Sequence, residues 1–112
     1  MAVETQGLNH VHLIVTDLER SASFYKEAFG LEELYRREHQ VFLNTPGRGD
    51  VVTLTQGDAP RVDHLGFLLA DRADVPDAMT RVEAAGGTMQ TRDVEGEPAT
   101  FVEDPDGYFI QL

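Results

Sequence analysis

The sequence predicts an α+β chain made of two copies of one β-α-β-β-β module, and three observations carry that prediction. First, Leu8-Asn9-His10-Val11-His12-Leu13 and Val62-Asp63-His64-Leu65-Gly66-Phe67 share a pattern in which His10 and His64 stand 54 residues apart, and Asp17 and Asp71 keep the same spacing. Second, each segment is followed by a stretch with helical apolar periodicity. Third, each of those is followed by three short strand-like runs bounded by Gly, Pro, Asn or Asp.

The elements follow in order. In the first strand, alternation sets His10, His12 and Ile14 on one face and Val11, Leu13 and Val15 on the other. The second face is purely apolar and should meet the helix. Asp17 is a good N-cap, because its carboxylate can accept from backbone N–H groups that have no partner within the helix. Leu18, Ala22, Phe24, Tyr25 and Phe29 supply the apolar positions and Gly30 ends the helix. Strands then run over Leu31 to Glu38, Gln40 to Asn44 and Val51 to Gln56, with Pro46-Gly47-Arg48-Gly49-Asp50 as the turn before the last. In the second half a helix starts after Asp74, with Pro76 in its first turn and Val75, Ala78, Met79, Val82 and Ala85 as its apolar stripe. Gly86-Gly87 end it, and strands follow over Thr88 to Arg92, Ala99 to Glu103 and Tyr108 to Leu112. Asp104-Pro105-Asp106-Gly107 fits a tight turn, since Pro presets φ at the second position and Gly suits the fourth.

A chain of 112 residues with 41% hydrophobic content is expected to form one domain over residues 1–112, with module one at about 7–57 and module two at about 61–112. A half of that size buries its apolar face poorly alone, so halves or chains must pair. There is no Cys, which excludes disulfides, iron–sulfur clusters, zinc ribbons and a thiol nucleophile. With 9 Lys plus Arg against 20 Asp plus Glu, the net charge of −11 repels phosphate backbones and anionic membranes. No apolar run approaches a membrane span, and the first residues lack the basic start and apolar run of a secretion signal. The expected location is the cytoplasm.

The candidate functional residues come from the repeat. His10 and His64 occupy equivalent places, and a pseudo-twofold could bring them together as half of a metal site. The alternative is that each is a satisfied polar residue at a strand edge. His12, on the face of His10, is a candidate third ligand, supporting group or general base, or a histidine with no ligand role. The repeat also pairs Val51-Val52-Thr53-Leu54 with Phe109-Ile110-Gln111-Leu112, which makes Thr53 and Gln111 equivalent. The Gln111 amide oxygen is a weak, uncharged ligand candidate. His39, Phe42, Tyr35 and Phe101 are candidates to line a pocket, and Glu103 and Glu38 are the nearest alternative carboxylates.

The repeat, the opening run from Leu8 to Leu13, Asp17-Leu18-Glu19-Arg20-Ser21 through Phe24-Tyr25-Lys26 to Phe29-Gly30-Leu31, and the closing Phe101 to Tyr108 together resemble the vicinal oxygen chelate superfamily. That group holds glyoxalase I, extradiol dioxygenases, methylmalonyl-CoA epimerase, fosfomycin-resistance transferases and bleomycin-resistance proteins. The resemblance implies βαβββ modules whose mixed sheet curls around a cavity. It further implies a divalent metal (Fe, Mn, Ni, Co or Zn) that holds vicinal oxygens of a small-molecule substrate. Carried over by motif, the metal ligands fall on His10, His64 and Gln111, and a further glyoxalase I ligand falls on Thr53. Both glutamates of a bacterial-type glyoxalase I are thus replaced, which argues against that activity. The resemblance therefore implies a metal-dependent lyase, isomerase or dioxygenase with His12 as candidate base, or else a non-catalytic drug-binding protein of the bleomycin-resistance kind. It also implies a homodimer in which two chains share each of two sites.

Overall fold

The computed structural model describes residues 2–94 and 97–112. The element order is β1 (Leu8–Val15), α1 (Leu18–Phe29), β2 (Glu32–Arg37), β3 (Gln40–Asn44), β4 (Val51–Gln56), β5 (Arg61–Phe67), α2 (Val75–Ala84), β6 (Thr88–Val94), β7 (Glu97–Glu103) and β8 (Phe109–Gln111), with a 3-10 turn at Arg72–Asp74 leading into α2. The α+β class and the twofold β-α-β-β-β order are as expected. Two compact units emerge, one over Asn9–Asp63 and the other formed by the segment up to Leu8 together with His64–Leu112. Among the described residues no helix is long and apolar enough to cross a membrane.

In the Asn9–Asp63 unit the strands lie in the order β2-β3-β4-β1, with β1 and β4 parallel and the other pairs antiparallel. The side-chain alternation is as the sequence dictates. Val41, Leu43 and Leu54, all 0% exposed, form a core with Leu18 and Ala22 of α1, and Leu13, Val15 and Tyr25 pack against it. Truncating one such Leu to Ala costs about 2–5 kcal/mol, because the cavity left behind collapses only in part. The Asp17 carboxylate accepts from the Arg20 amide at the start of α1. At the other end Gly30, at φ 69°, takes the left-handed conformation that closes the helix and returns its N–H to Lys26 and Tyr25 carbonyls.

In the other unit the order β5-β8-β7-β6 repeats the same arrangement, again with first and last strands parallel. The registers are equivalent. His12 pairs with Thr53 in one unit, and Gly66, two residues beyond His64 as His12 is beyond His10, pairs with Gln111 in the other. The equivalence of Thr53 and Gln111 is therefore built into the strand pairing. The turn Asp104 to Gly107 closes as predicted by a Gly107 N–H to Asp104 carbonyl bond of 3.0 Å.

Some boundaries differ from the sequence reading. The β6–β7 hairpin extends to Val94 and Glu97, with Asp93 opposite Pro98 in register. The sequence reading ended the first of these strands at Arg92 and began the second at Ala99. Strand β8 begins at Phe109 and not at Tyr108, because the Tyr108 backbone is drawn into the turn: its N–H binds the Asp104 carboxylate and its carbonyl accepts from the Asp104 amide.

Candidate functional site

In the Asn9–Asp63 unit the face of β1 turned away from α1 carries His10, His12 and Ile14. The sequence dictates this: Leu13 and Val15 are held by the core, so their neighbours must point the other way. His10 is half-buried, and its Nδ1 lies 2.8 Å from Asn9 Oδ1. An amide oxygen only accepts, so Nδ1 carries the proton and the ring's lone pair sits on Nε2. That is the tautomer of a metal-binding imidazole whose second nitrogen is oriented by a hydrogen bond.

His12 is engaged at both ring nitrogens. Its Nε2 lies 2.7 Å from Thr55 Oγ1, and the Gln40 amide donates to that same oxygen at 2.9 Å. Its Nδ1 is 3.8 Å from the Asp63 carboxylate, an ion-pair distance when the imidazole is protonated, and Asp63 also meets Arg61 at 3.2 Å. With a carboxylate facing Nδ1 and a hydroxyl facing Nε2, the proton belongs on Nδ1 and Nε2 accepts from Thr55. Thr53, opposite His12 on β4, is buried at 4% exposure. Phe42, opposite Thr53 on β3, shares this face and packs against the tilted ring of Tyr35, with centroids 5.6 Å apart.

In the other unit His64 is 7% exposed, with the Phe101 ring edge-on to it at 4.9 Å. The β5–β8 and β7–β8 registers put His64, Gln111, Phe101 and Phe109 on one face, with Phe101 directly opposite Gln111. The guanidinium of Arg92 lies over Phe101 at 4.6 Å and Phe109 at 5.3 Å. Such contacts contribute about 0.5–2 kcal/mol.

The structure thus brings His10 and His12 to one face of the first unit, and His64 and Gln111 to one face of the second. Two of the other sequence candidates lie elsewhere. His39 and Glu38 sit in the β2–β3 turn with side chains 71% and 88% exposed, because an edge turn has nothing to pack against; neither is a lining or ligand group in that unit. Glu103 accepts from Gln90 at 2.9 Å on the face of His64. The carboxylate that sequence reasoning missed is Asp63. Its signal was faint: a single acidic residue next to His64, whose meeting with His12 depends on tertiary pairing.

Residues 7–112 match the model of the Glyoxalase/Bleomycin resistance protein/Dioxygenase superfamily. A manganese-dependent 2,3-dihydroxybiphenyl 1,2-dioxygenase of Geobacillus genomosp. 3 is 32% identical over 92 residues, covering 80% of this chain and 29% of that protein. A probable lactoylglutathione lyase of Vibrio parahaemolyticus is 33% identical over 119 residues, covering 92% of this chain and 86% of that one. In structure, a variant of homoprotocatechuate 2,3-dioxygenase from Brevibacterium fuscum superposes with a TM-score of 0.82 at 28% identity, over 98% of this chain and 32% of that one. The chain therefore spans about a third of the length of the dioxygenases it matches and most of the length of the lyase.

Proposed function

Because the chain belongs to the glyoxalase/bleomycin resistance protein/dioxygenase superfamily, we propose that it is a divalent-metal-dependent enzyme acting on a small oxygenated molecule, of lyase, isomerase or dioxygenase type. The single observation that carries this reading is the His10–Asn9 hydrogen bond of 2.8 Å, which leaves a lone pair on Nε2. It is supported by His64 and Gln111 sharing one sheet face. The ligand set is His10, His64 and Gln111, and in a homodimer two chains contribute to each site. Two imidazoles and an amide oxygen suit Mn, Fe, Co, Ni or Zn, and manganese leads because one relative is manganese-dependent. When bound, the metal supplies Lewis acidity toward adjacent substrate oxygens.

The chain's own residues do the rest. His12 accepts a proton at Nε2, with the Thr55 hydroxyl as the group between it and the reacting molecule. Asp63 faces Nδ1 and stabilises the imidazolium that results. Phe101 and Phe109 shield His64 from water and raise the strength of polar contacts beside it.

A second reading is favoured by the ligand positions themselves. Gln111 and Thr53 offer no carboxylate, and a non-catalytic drug-binding protein needs none. Metal content by mass spectrometry on untagged protein separates the two. The expected result is near-stoichiometric metal that is lost in the His10→Ala/His64→Ala double variant. If neither protein holds metal after loading with Mn, Fe, Ni, Co and Zn in turn, the enzyme reading fails and the binding reading stands.

A further inference from the structure

Within the unit that contains α2, the sheet face opposite His64 and Gln111 lines a half-open, largely apolar cavity of about 250 Å³, walled chiefly by Val3, Phe67, Val82, Val102, Ile110 and Leu112, with Thr5, Glu103 and Asp104 also on its wall. The repeat supplies the comparison that makes this cavity informative. At the equivalent helix–sheet interface of the Asn9–Asp63 unit, Leu18, Ala22 and Tyr25 of α1 fill the space above Val41, Leu43 and Leu54. Around the cavity, α2 and its C-cap offer only Val82 and Ala85; Ala78 is the one buried residue of the helix, and the half-buried Met79 does not line the cavity. Gly87 holds the end of α2 close to β7: a Cβ there would lie 2.5 Å from Val82 Cγ1 and 3.0 Å from the Glu103 carbonyl. The helix is thus pinned near the sheet, yet its side chains are too small to fill the gap.

We infer that this cavity is a binding site for a small neutral hydrocarbon-like molecule carrying one aromatic ring. Two physical points select that class. The wall is apolar over nearly all of its exposed surface, so a water there, which needs two to four polar partners, finds few. An apolar cavity of about 150 Å³ already admits benzene, whereas drug-sized ligands occupy about 300–1,000 Å³, so about one ring with a short substituent is the matching size. The N-terminal segment, which contributes Val3 and Thr5 to the wall, is anchored by a Gln6 N–H bond to the Leu68 carbonyl at 2.7 Å and by a Leu68 N–H bond to the Gly7 carbonyl at 3.0 Å. The Arg81 guanidinium holds the Ala2 carbonyl further along the same segment. The site is independent of the metal-ligand face.

The test is methyl NMR of the full chain titrated with toluene, with benzoate as the charged analogue and Ala85→Leu as a variant that puts a larger side chain on the cavity wall. The inference predicts saturable shifts confined to methyls of Val3, Val82, Val102, Ile110 and Leu112. Benzoate should bind at least tenfold more weakly, and Ala85→Leu should weaken toluene at least tenfold while raising the thermal midpoint. Should Ala85→Leu fail to fold, the wild-type titration alone decides. Toluene that leaves those methyls unmoved at saturation, or that moves Phe101-side signals instead, overturns the proposal. So does a folded Ala85→Leu variant that binds toluene as the wild type does.

Discussion

At the scale of single residues, charge decides the behaviour of the proposed metal ligands. Gln111 puts a neutral oxygen on the face of His64, where a carboxylate would add a full negative charge at the same reach. Gln111→Glu should therefore tighten Mn or Zn binding by about tenfold, or about 1.4 kcal/mol. Calorimetric titration reads this directly, and unchanged affinity would remove Gln111 from the ligand set. The strand faces that His10, His64 and Gln111 occupy were legible in the sequence, because strand alternation is a local rule and the repeat is visible in the pattern. The Asp63–His12 pair was not, since its partners are far apart in sequence and meet only through tertiary structure. A second residue-scale expectation concerns acid. The Asp50 carboxylate accepts from the Thr45 backbone N–H and then from its hydroxyl, both at 2.8 Å, which holds its pKa below the ordinary carboxylate value. A group whose folded pKa is depressed contributes stability above its unfolded pKa, about 3.9, and loses that contribution as pH falls through the folded value. Urea unfolding at pH 7 and pH 3 should show a smaller acid loss in Asp50→Asn than in wild type. An equal loss in both would detach Asp50 from the acid response.

At the scale of elements, the capping chemistry gives an asymmetric expectation. Asp17 bonds the Arg20 amide at 3.1 Å, whereas Asp74, at the equivalent start of α2, makes no side-chain cap bond. Asp17→Ala should cost about 1 kcal/mol and Asp74→Ala close to nothing, both read from chemical denaturation. Equal costs would mean that the Asp17 bond does not stabilise α1. The sequence located both helix starts because an N-cap is a local signal. It could not say which Asp makes the bond, since that depends on backbone conformation: Asp17 is extended at φ −144°, while Asp74 is already helical at φ −80°. Strand β2 shows a similar limit. Glu33 is held below its usual pKa chiefly by the Arg36 side chain and next by Lys26 of α1, and Arg36 also meets Glu19 of α1. This cross-link between an edge strand and a helix has no periodic signature in the chain.

At the scale of the whole molecule, duplication sets the plan and unequal filling sets the stability of its parts. The two units share strand order and register. One packs a continuous core against α1, while the other leaves the cavity beneath α2. Pattern alone announced the duplication, since both halves have the same apolar spacing, but it could not announce the void. Volume complementarity across an interface depends on which side chains face each other, not on how often apolar residues recur. Local opening follows packing: amides in well-filled, doubly paired strands open only with the largest cost, whereas a helix over a void opens sooner. Amides of Val41, Leu43 and Leu54 lie in β3 and β4, each flanked by strands on both sides. They should be the slowest in native-state hydrogen exchange, and amides of α2 such as Val82 should exchange about a hundredfold faster, a difference of about 2.7 kcal/mol in opening free energy. If α2 exchanges with the slowest group, the cavity carries no cost to local stability, and the smaller side chains of α2 must be offset by packing elsewhere on that helix.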